Sequence, residues 1–322
     1  MTTIGYHCSH ELHAPSALLR HVTAAERAGF GAAMCSDHFA PWGVQQGQSG
    51  FAWSWLGAAL QATALSFGTV NAPGQRYHPA IIAQAAATLA EMYPERFWVA
   101  VGSGEALNEH ITGDPWPAKS ARVARLRECV QVMRALWAGE TVTHAGLVTV
   151  HEAKLYTRPA RPPLIFGAAI SAATAESVGG WADGMVTVVR PEPELREVVR
   201  AFRRGGGEGK PMYLQSTISF APTEQEAETL AHEGWRTNVV GSSEFKADVP
   251  SPELFDAAAQ FVRPADMRST VRISADPGQH AAWLDADRAL GFERIYVHHV
   301  GRDQERFIDA FASQVLPRLR DL

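Results

Sequence analysis

Short apolar runs alternate with amphipathic helical stretches along almost the whole of a 322-residue chain. Apolar residues recurring every third or fourth position mark one face of a helix, and short unbroken apolar runs mark buried strands. Thr3–Cys8, Gly31–Cys35, Ser66–Asn71 and Arg96–Val101 read as strands, each followed by a helical stretch. In the first helix Leu18, Leu19, Val22 and Ala25 share a face, and Gly29 ends it. After the helix Ser120–Trp137 the rhythm pauses at Glu140–Leu155, which predicts a hairpin around Ala145-Gly146. It resumes with strands Leu164–Ala168, Gly184–Val189, Met212–Phe220 and Phe292–His298. Asn238–Pro264 is irregular with a helical piece, and Val271–Ser274 reads as a short strand. The alternation predicts an α/β chain, one (β/α)₈ TIM barrel over 1–322. Its insertions fall at about 139–157, after the fourth helix, and about 238–264, after the seventh strand. A doubly wound sheet is the competing architecture, but no GxGxxG follows the first strand.

Charge and cysteine usage narrow the function class. The formal net charge is −5, and the one dense basic stretch, Lys119 to Arg134, has its charges at helical spacing. That is a solvated helix face, so no nucleic-acid partner is expected. Cys8, Cys35 and Cys129 form no CxxC and no disulfide framework. The N-terminus has no basic region followed by an apolar core, and no apolar run is long enough to span a membrane. A cytoplasmic location with no membrane partner is expected.

In a parallel barrel the chemistry gathers where strands end and the next loops begin. The first end offers Ser9, His10 and Glu11. The second offers Ser36, Asp37 and His38, with Trp42 just beyond. The third ends in Val70 and Asn71, and the fourth in Ser103, Gly104 and Glu105, followed by Asn108 and His110. The fifth ends in Gly167, Ala168 and Ala169, the sixth in Val188, Val189 and Arg190, and the last in His298 and His299. One side of the mouth is therefore titratable. The other is small and apolar, which suits a flat ligand whose phosphate is held by backbone N–H groups. An imidazole titrates near pH ~6.5, so His38 is the first acid–base candidate, against a histidine that only caps a loop. Glu105 reads either as its counterpart or as an ordinary acid at a helix N-terminus. Trp53 and Trp55 in one apolar helix predict a homodimer face near Phe51–Leu60, unless both pack in the chain's own core.

Three segments carry a family resemblance: Ser36-Asp37-His38-Phe39-Ala40-Pro41-Trp42, Arg76-Tyr77-His78-Pro79-Ala80 and Gly102-Ser103-Gly104-Glu105-Ala106-Leu107-Asn108-Glu109. Together they resemble the deazaflavin-dependent glucose-6-phosphate dehydrogenases of the luciferase-like (β/α)₈ superfamily. The resemblance implies His38 as base, Glu105 as acid, and Trp42 and Glu11 facing the site. It implies a non-prolyl cis peptide at Val70–Asn71 supporting the cofactor ring. It also implies cofactor contacts at Asp37, Val70, Asn71, Ser103, Gly104, Asn108, Gly167, Ala168, Ala169, Ile170, Val188 and Arg190. The second half departs from that group. A phosphate-contacting Thr-Ser-Gly-Lys aligns with Val188-Val189-Arg190-Pro191, and a sugar-phosphate Lys and Arg fall near Ala258 and Thr270. That departure is similar to a sister group of FMN-using oxidoreductases. FMN is thus the expected cofactor, with the deazaflavin coenzyme F420 the alternative. The expected partners are a small organic substrate, to be oxidised or oxygenated, and a flavin reductase or other source of reduced cofactor. A reading of another class is a metal-dependent barrel hydrolase built on His7, His10, His38, His110, His298 and His299. Strands five and six offer such a site no ligand, so no metal residues are expected.

Overall fold

The computed structural model describes residues 2–320. Its strands are β1 (Thr3–Cys8), β2 (Ala32–Ser36), β3 (Ser66–Asn71), β4 (Phe97–Val101), β5 (Val142–Ala145), β6 (Thr149–Ala153), β7 (Leu164–Ala168), β8 (Gly184–Val188), β9 (Met212–Phe220), β10 (Arg272–Ser274) and β11 (Arg294–His299). The strands β1-β2-β3-β4-β7-β8-β9-β11 pair in parallel in that order, and β11 returns to β1. The sheet closes into a (β/α)₈ barrel with helices outside. Nine-residue β9 outlasts its neighbour: Met212–Gln215 pairs with β8, and Ile218–Phe220 pairs with β10.

Strand alternation splits the side chains between two layers. Outward residues pack under the helices in the main core, where Phe67, Val99, Ile165, Leu214 and Ile295 meet Leu18, Leu56, Met133 and Phe311. Inward residues Met34, Trp98, Phe166, Tyr213 and Tyr296 plug the lower barrel. The Phe166 and Tyr213 rings stack at 4.3 Å, and Trp98 meets each of them at 5.0 Å. Room for these rings comes from two strand glycines. A Cβ on Gly5 would lie 2.5 Å from Tyr296, and one on Gly68 would lie 1.9 Å from Trp98. The plug raises the floor, so that only the upper ends of the strands remain for a ligand.

The first insertion is the expected hairpin, β5 antiparallel to β6. The second follows the helix Glu224–Trp235, within the expected 238–264, and contains helices Ser243–Asp248 and Pro252–Ala258. It folds over the mouth. Phe255 and Val249 bury against Leu107, with Ala40 and Trp42 packed on them, and Val44 N donates to Asp256 Oδ2 at 2.8 Å.

One expectation needs correction, and the two tryptophans take the second of the readings offered for them. Trp53 and Trp55 are buried in the chain's own shell, donating to Asp37 Oδ2 at 3.2 Å and to Pro15 O at 3.0 Å. They therefore give no reason to place a dimer face on this helix. Every peptide bond among the described residues is trans, Val70–Asn71 included, the geometry a non-prolyl bond prefers by about 2.5–4 kcal/mol. No helix among the described residues is long and apolar enough to cross a membrane.

Candidate active site

The ends of β1 and β2 build the reactive side of the mouth. Glu11 is buried, 2% exposed, and accepts hydrogen bonds at Oε2 from Ser9 Oγ (2.7 Å) and Ser36 Oγ (2.8 Å). Its other oxygen, Oε1, lies 3.0 Å from Nδ1 of half-buried His38. Burial pushes the Glu11 carboxyl up, but His38 and the two hydroxyls outweigh it, and the net effect is to hold it below the ordinary carboxylate range. A fixed anion behind the ring leaves the Nε2 edge of His38 as the working face. Trp42 stands against the same imidazole, edge to face at 5.1 Å, and is held in turn by Phe255 at 5.3 Å.

Glu105 approaches from the end of β4. It precedes the short helix Ala106–Glu109, and its carboxylate does not cap that helix. Burial raises that carboxyl, while His38 and Lys246 pull the other way without cancelling the rise. A group so placed keeps its proton to higher pH than an exposed glutamate. Lys246 comes from the second insertion, donates to Asn238 O at 3.0 Å, and faces Glu105 and Arg190. Burial lowers its pKa, opposed by Glu105 and reinforced by Arg190. Sequence reasoning missed it, because the insertion has no pattern that fixes which residue points inward. Neither Ala258 nor Thr270, where cations of the resembling dehydrogenases fall, supplies a charge here.

Several of the other expected site residues also hydrogen-bond within the chain. Asp37 is buried and accepts from Asn71 Nδ2 (2.7 Å), Tyr77 OH (3.0 Å) and Trp53 Nε1 (3.2 Å). Arg76 donates from Nη2 to Asp37 O at 2.8 Å and from its backbone N to Glu109 Oε2 at 2.7 Å. Asn108 Oδ1 accepts from the backbone of Phe39 at 2.8 Å and of Ala40 at 3.4 Å. The three sequence segments behind the resemblance are therefore one interlocked scaffold that aims His38 and Glu105.

The opposite wall is small. Val70, Ser103, Gly104, Ala168 and Val188 are half-buried at the strand ends, and Ala169 is buried. A Cβ on Gly102 would meet only that of Ala168, at 3.6 Å. Gly104 sits at φ +82°, a conformation that favours glycine. Gly167 is buried against Val178, Ile170 is exposed, and Ser171 caps the following helix by accepting from Thr174 N at 3.3 Å. Arg190 is half-buried and reaches Glu194 at 3.3 Å. This wall is made of small side chains and backbone, and among the described residues no large side chain lies close to Gly102. Among the described residues no group of three or more His, Cys, Asp or Glu side chains converges as a metal site.

The family model described as luciferase-like monooxygenase matches residues 2–294. The chain belongs to the luciferase-like family. Its curated relatives include an F420-dependent glucose-6-phosphate dehydrogenase of Nakamurella multipartita, 36% identical and covering 99% of this chain and 96% of that one. Another, from Intrasporangium calvum, is 34% identical over the full length of both chains. Among solved structures, an F420-dependent secondary alcohol dehydrogenase in complex with an F420-acetone adduct superposes with TM-score 0.91 at 31% identity, covering both chains fully. This luciferase-like barrel is an oxidoreductase.

Proposed function

We propose that this luciferase-like protein is an F420-dependent dehydrogenase that oxidises a secondary hydroxyl of a small organic molecule. The observation that carries the reading is the His38–Glu11 contact of 3.0 Å at the mouth, facing a wall of small residues. The relatives favour the deazaflavin over FMN, since those named above are F420-dependent at 31–36% identity. They also favour hydride transfer over oxygenation. Val70, Ser103, Gly104, Ala168 and Ala169 would hold the ring, and Ile170 with Arg190 its phosphate tail. When bound, the deazaflavin supplies the hydride acceptor.

The chain's own residues do the rest. The substrate C–H bond breaks with its electron pair leaving as hydride, and the hydroxyl proton goes to His38 Nε2, so that the alcohol becomes a ketone. Glu11 orients the imidazole and stabilises it once it is positively charged. Glu105, its pKa raised by burial, holds the proton that balances the charge delivered to the cofactor side. Trp42 and Phe255 exclude water from the imidazole.

Replacing His38 by Ala tests the assignment. Turnover with F420 should fall about 10²–10⁴-fold, the usual worth of a general base, with F420 affinity largely kept. Unchanged turnover would make His38 a loop residue.

A further inference from the structure

Beside the His38 pair lies a second polar cluster that the proposed reaction leaves unused. β1 and β11 are neighbours in the closed sheet, and each sends one imidazole inward, His7 and His298. The rings lie 4.4 Å apart, tilted by 33°. Inward orientation follows from the register: Tyr6 packs outward on Phe30, and Tyr296, two residues before His298, belongs to the aromatic plug. From β9, Gln215 Nε2 donates to His298 Nδ1 at 3.1 Å. Trp235 stands edge-on to His298 at 4.7 Å. Gln215 and His298 each follow a plug residue, Tyr213 and Tyr296, by two positions, and His7 lies close enough to His38 to feel its charge.

Two atoms of this floor have no partner among the described residues. His7 Nδ1 and His298 Nε2 are both buried and without a hydrogen bond, on side chains only 5% and 1% exposed. With Gln215 donating to Nδ1, the proton of His298 is on Nε2, so this atom is a donor lacking an acceptor. Both rings are uncharged: burial holds His7 at about 4, and His298 well below the ordinary value. A neutral floor attracts no anion, and a purely apolar ligand lying on it would leave its polar atoms unsatisfied.

We infer that His7, Gln215 and His298 form a substrate-recognition floor that binds a second, uncharged oxygen of the substrate. The substrate class is then a diol, polyol or hydroxyketone rather than a monofunctional secondary alcohol. This rests on the dehydrogenase reading and adds to it the part of the substrate remote from the reacting carbon. Sites that hydrogen-bond a substrate hydroxyl discriminate strongly against analogues without it, because their own polar groups are then left unpaired.

The test compares F420 reduction by propan-2-ol, propane-1,2-diol, glucose and glucose 6-phosphate. Wild type should favour the diol over propan-2-ol by about 10–100-fold in kcat/KM, mostly through KM. H298F, close in shape, and Q215M, which keeps the strand position, should each erase that preference while F420 affinity stays within about threefold. A second readout needs no turnover: in the cofactor-free protein, propane-1,2-diol should shift the imidazole ¹⁵N resonances of His7 and His298. Equal use of both alcohols, unshifted resonances, or variants that lose F420 affinity instead of diol preference would overturn the floor assignment alone. Use of glucose 6-phosphate with no use of unphosphorylated glucose or of the diol would do the same, since it would place specificity on a charge. No F420 reduction by any of the four would sink the dehydrogenase reading along with it.

Discussion

Removing the carboxylate of Asp37 should unfold the site before it affects chemistry. Asp37 is 3% exposed and accepts from Asn71, Tyr77 and Trp53, with Arg76 Nη2 at 3.8 Å from Oδ1. Asp37→Ala leaves three donors without that acceptor, buried Asn71 and Trp53 and half-buried Tyr77, and it leaves Arg76 with Glu109 as its remaining carboxylate. Stripping one member from such a buried charged network costs about 3–5 kcal/mol. Asp37→Asn keeps the shape but replaces one accepting oxygen with a donor, for a cost of about 1.5–3 kcal/mol. Urea unfolding at pH 7 should show both midpoints lowered in that order with an unchanged m-value. F420 affinity measured under folding conditions should change far less than stability. A loss below about 1 kcal/mol for Asp37→Ala, paired with a collapse in F420 affinity, would make Asp37 a cofactor contact instead of a structural hub.

Glu11→Gln preserves volume and the serine contacts but removes the anion behind His38. Turnover should fall about 10²-fold or more with KM little changed, and wild-type turnover would show that His38 works without it. The buried imidazoles make stability depend on acid. His7 and His13 are held at about 4 and His299 at about 3, all by burial, against about 6.5 in an unfolded chain. Below about pH 6.5 the unfolded chain therefore binds protons that the folded one refuses, so stability is complete above that pH and is lost as pH falls towards 4. At pH 5 each such imidazole costs about 2 kcal/mol, from 1.5 units at about 1.36 kcal/mol each. Equal urea midpoints at pH 7.5 and pH 5 would refute this.

The barrel was legible because its signal is local and repeated: strands Ser66–Asn71, Leu164–Ala168 and Met212–Phe220 appear where the apolar runs place them. The strand-end rule likewise pointed to His38, Glu11 and Glu105, which the fold brings near one another. What it could not separate is a polar side chain aimed into the cup from one that ties loops together. Asp37 and Asn108 take their meaning from Tyr77, Arg76 and the backbone of Phe39, partners far away in sequence. His7 and His298 meet only because the sheet closes, joining the two ends of the chain. Lys246 is brought to Glu105 by an insertion whose path no periodicity records. The cis peptide failed for another reason, being carried over from the resemblance, while the tryptophans take the own-core reading, engaged by Asp37 and Pro15.

The central claim is that this barrel moves a hydride from a hydroxyl-bearing carbon to a deazaflavin. Its most direct test is to mix the purified protein anaerobically with F420, or separately with FMN, add propane-1,2-diol, and follow the visible absorbance of each cofactor. The account predicts loss of the oxidised deazaflavin band with stoichiometric ketone formation, and no reduction of FMN. Reduction of FMN with the deazaflavin left untouched would contradict it.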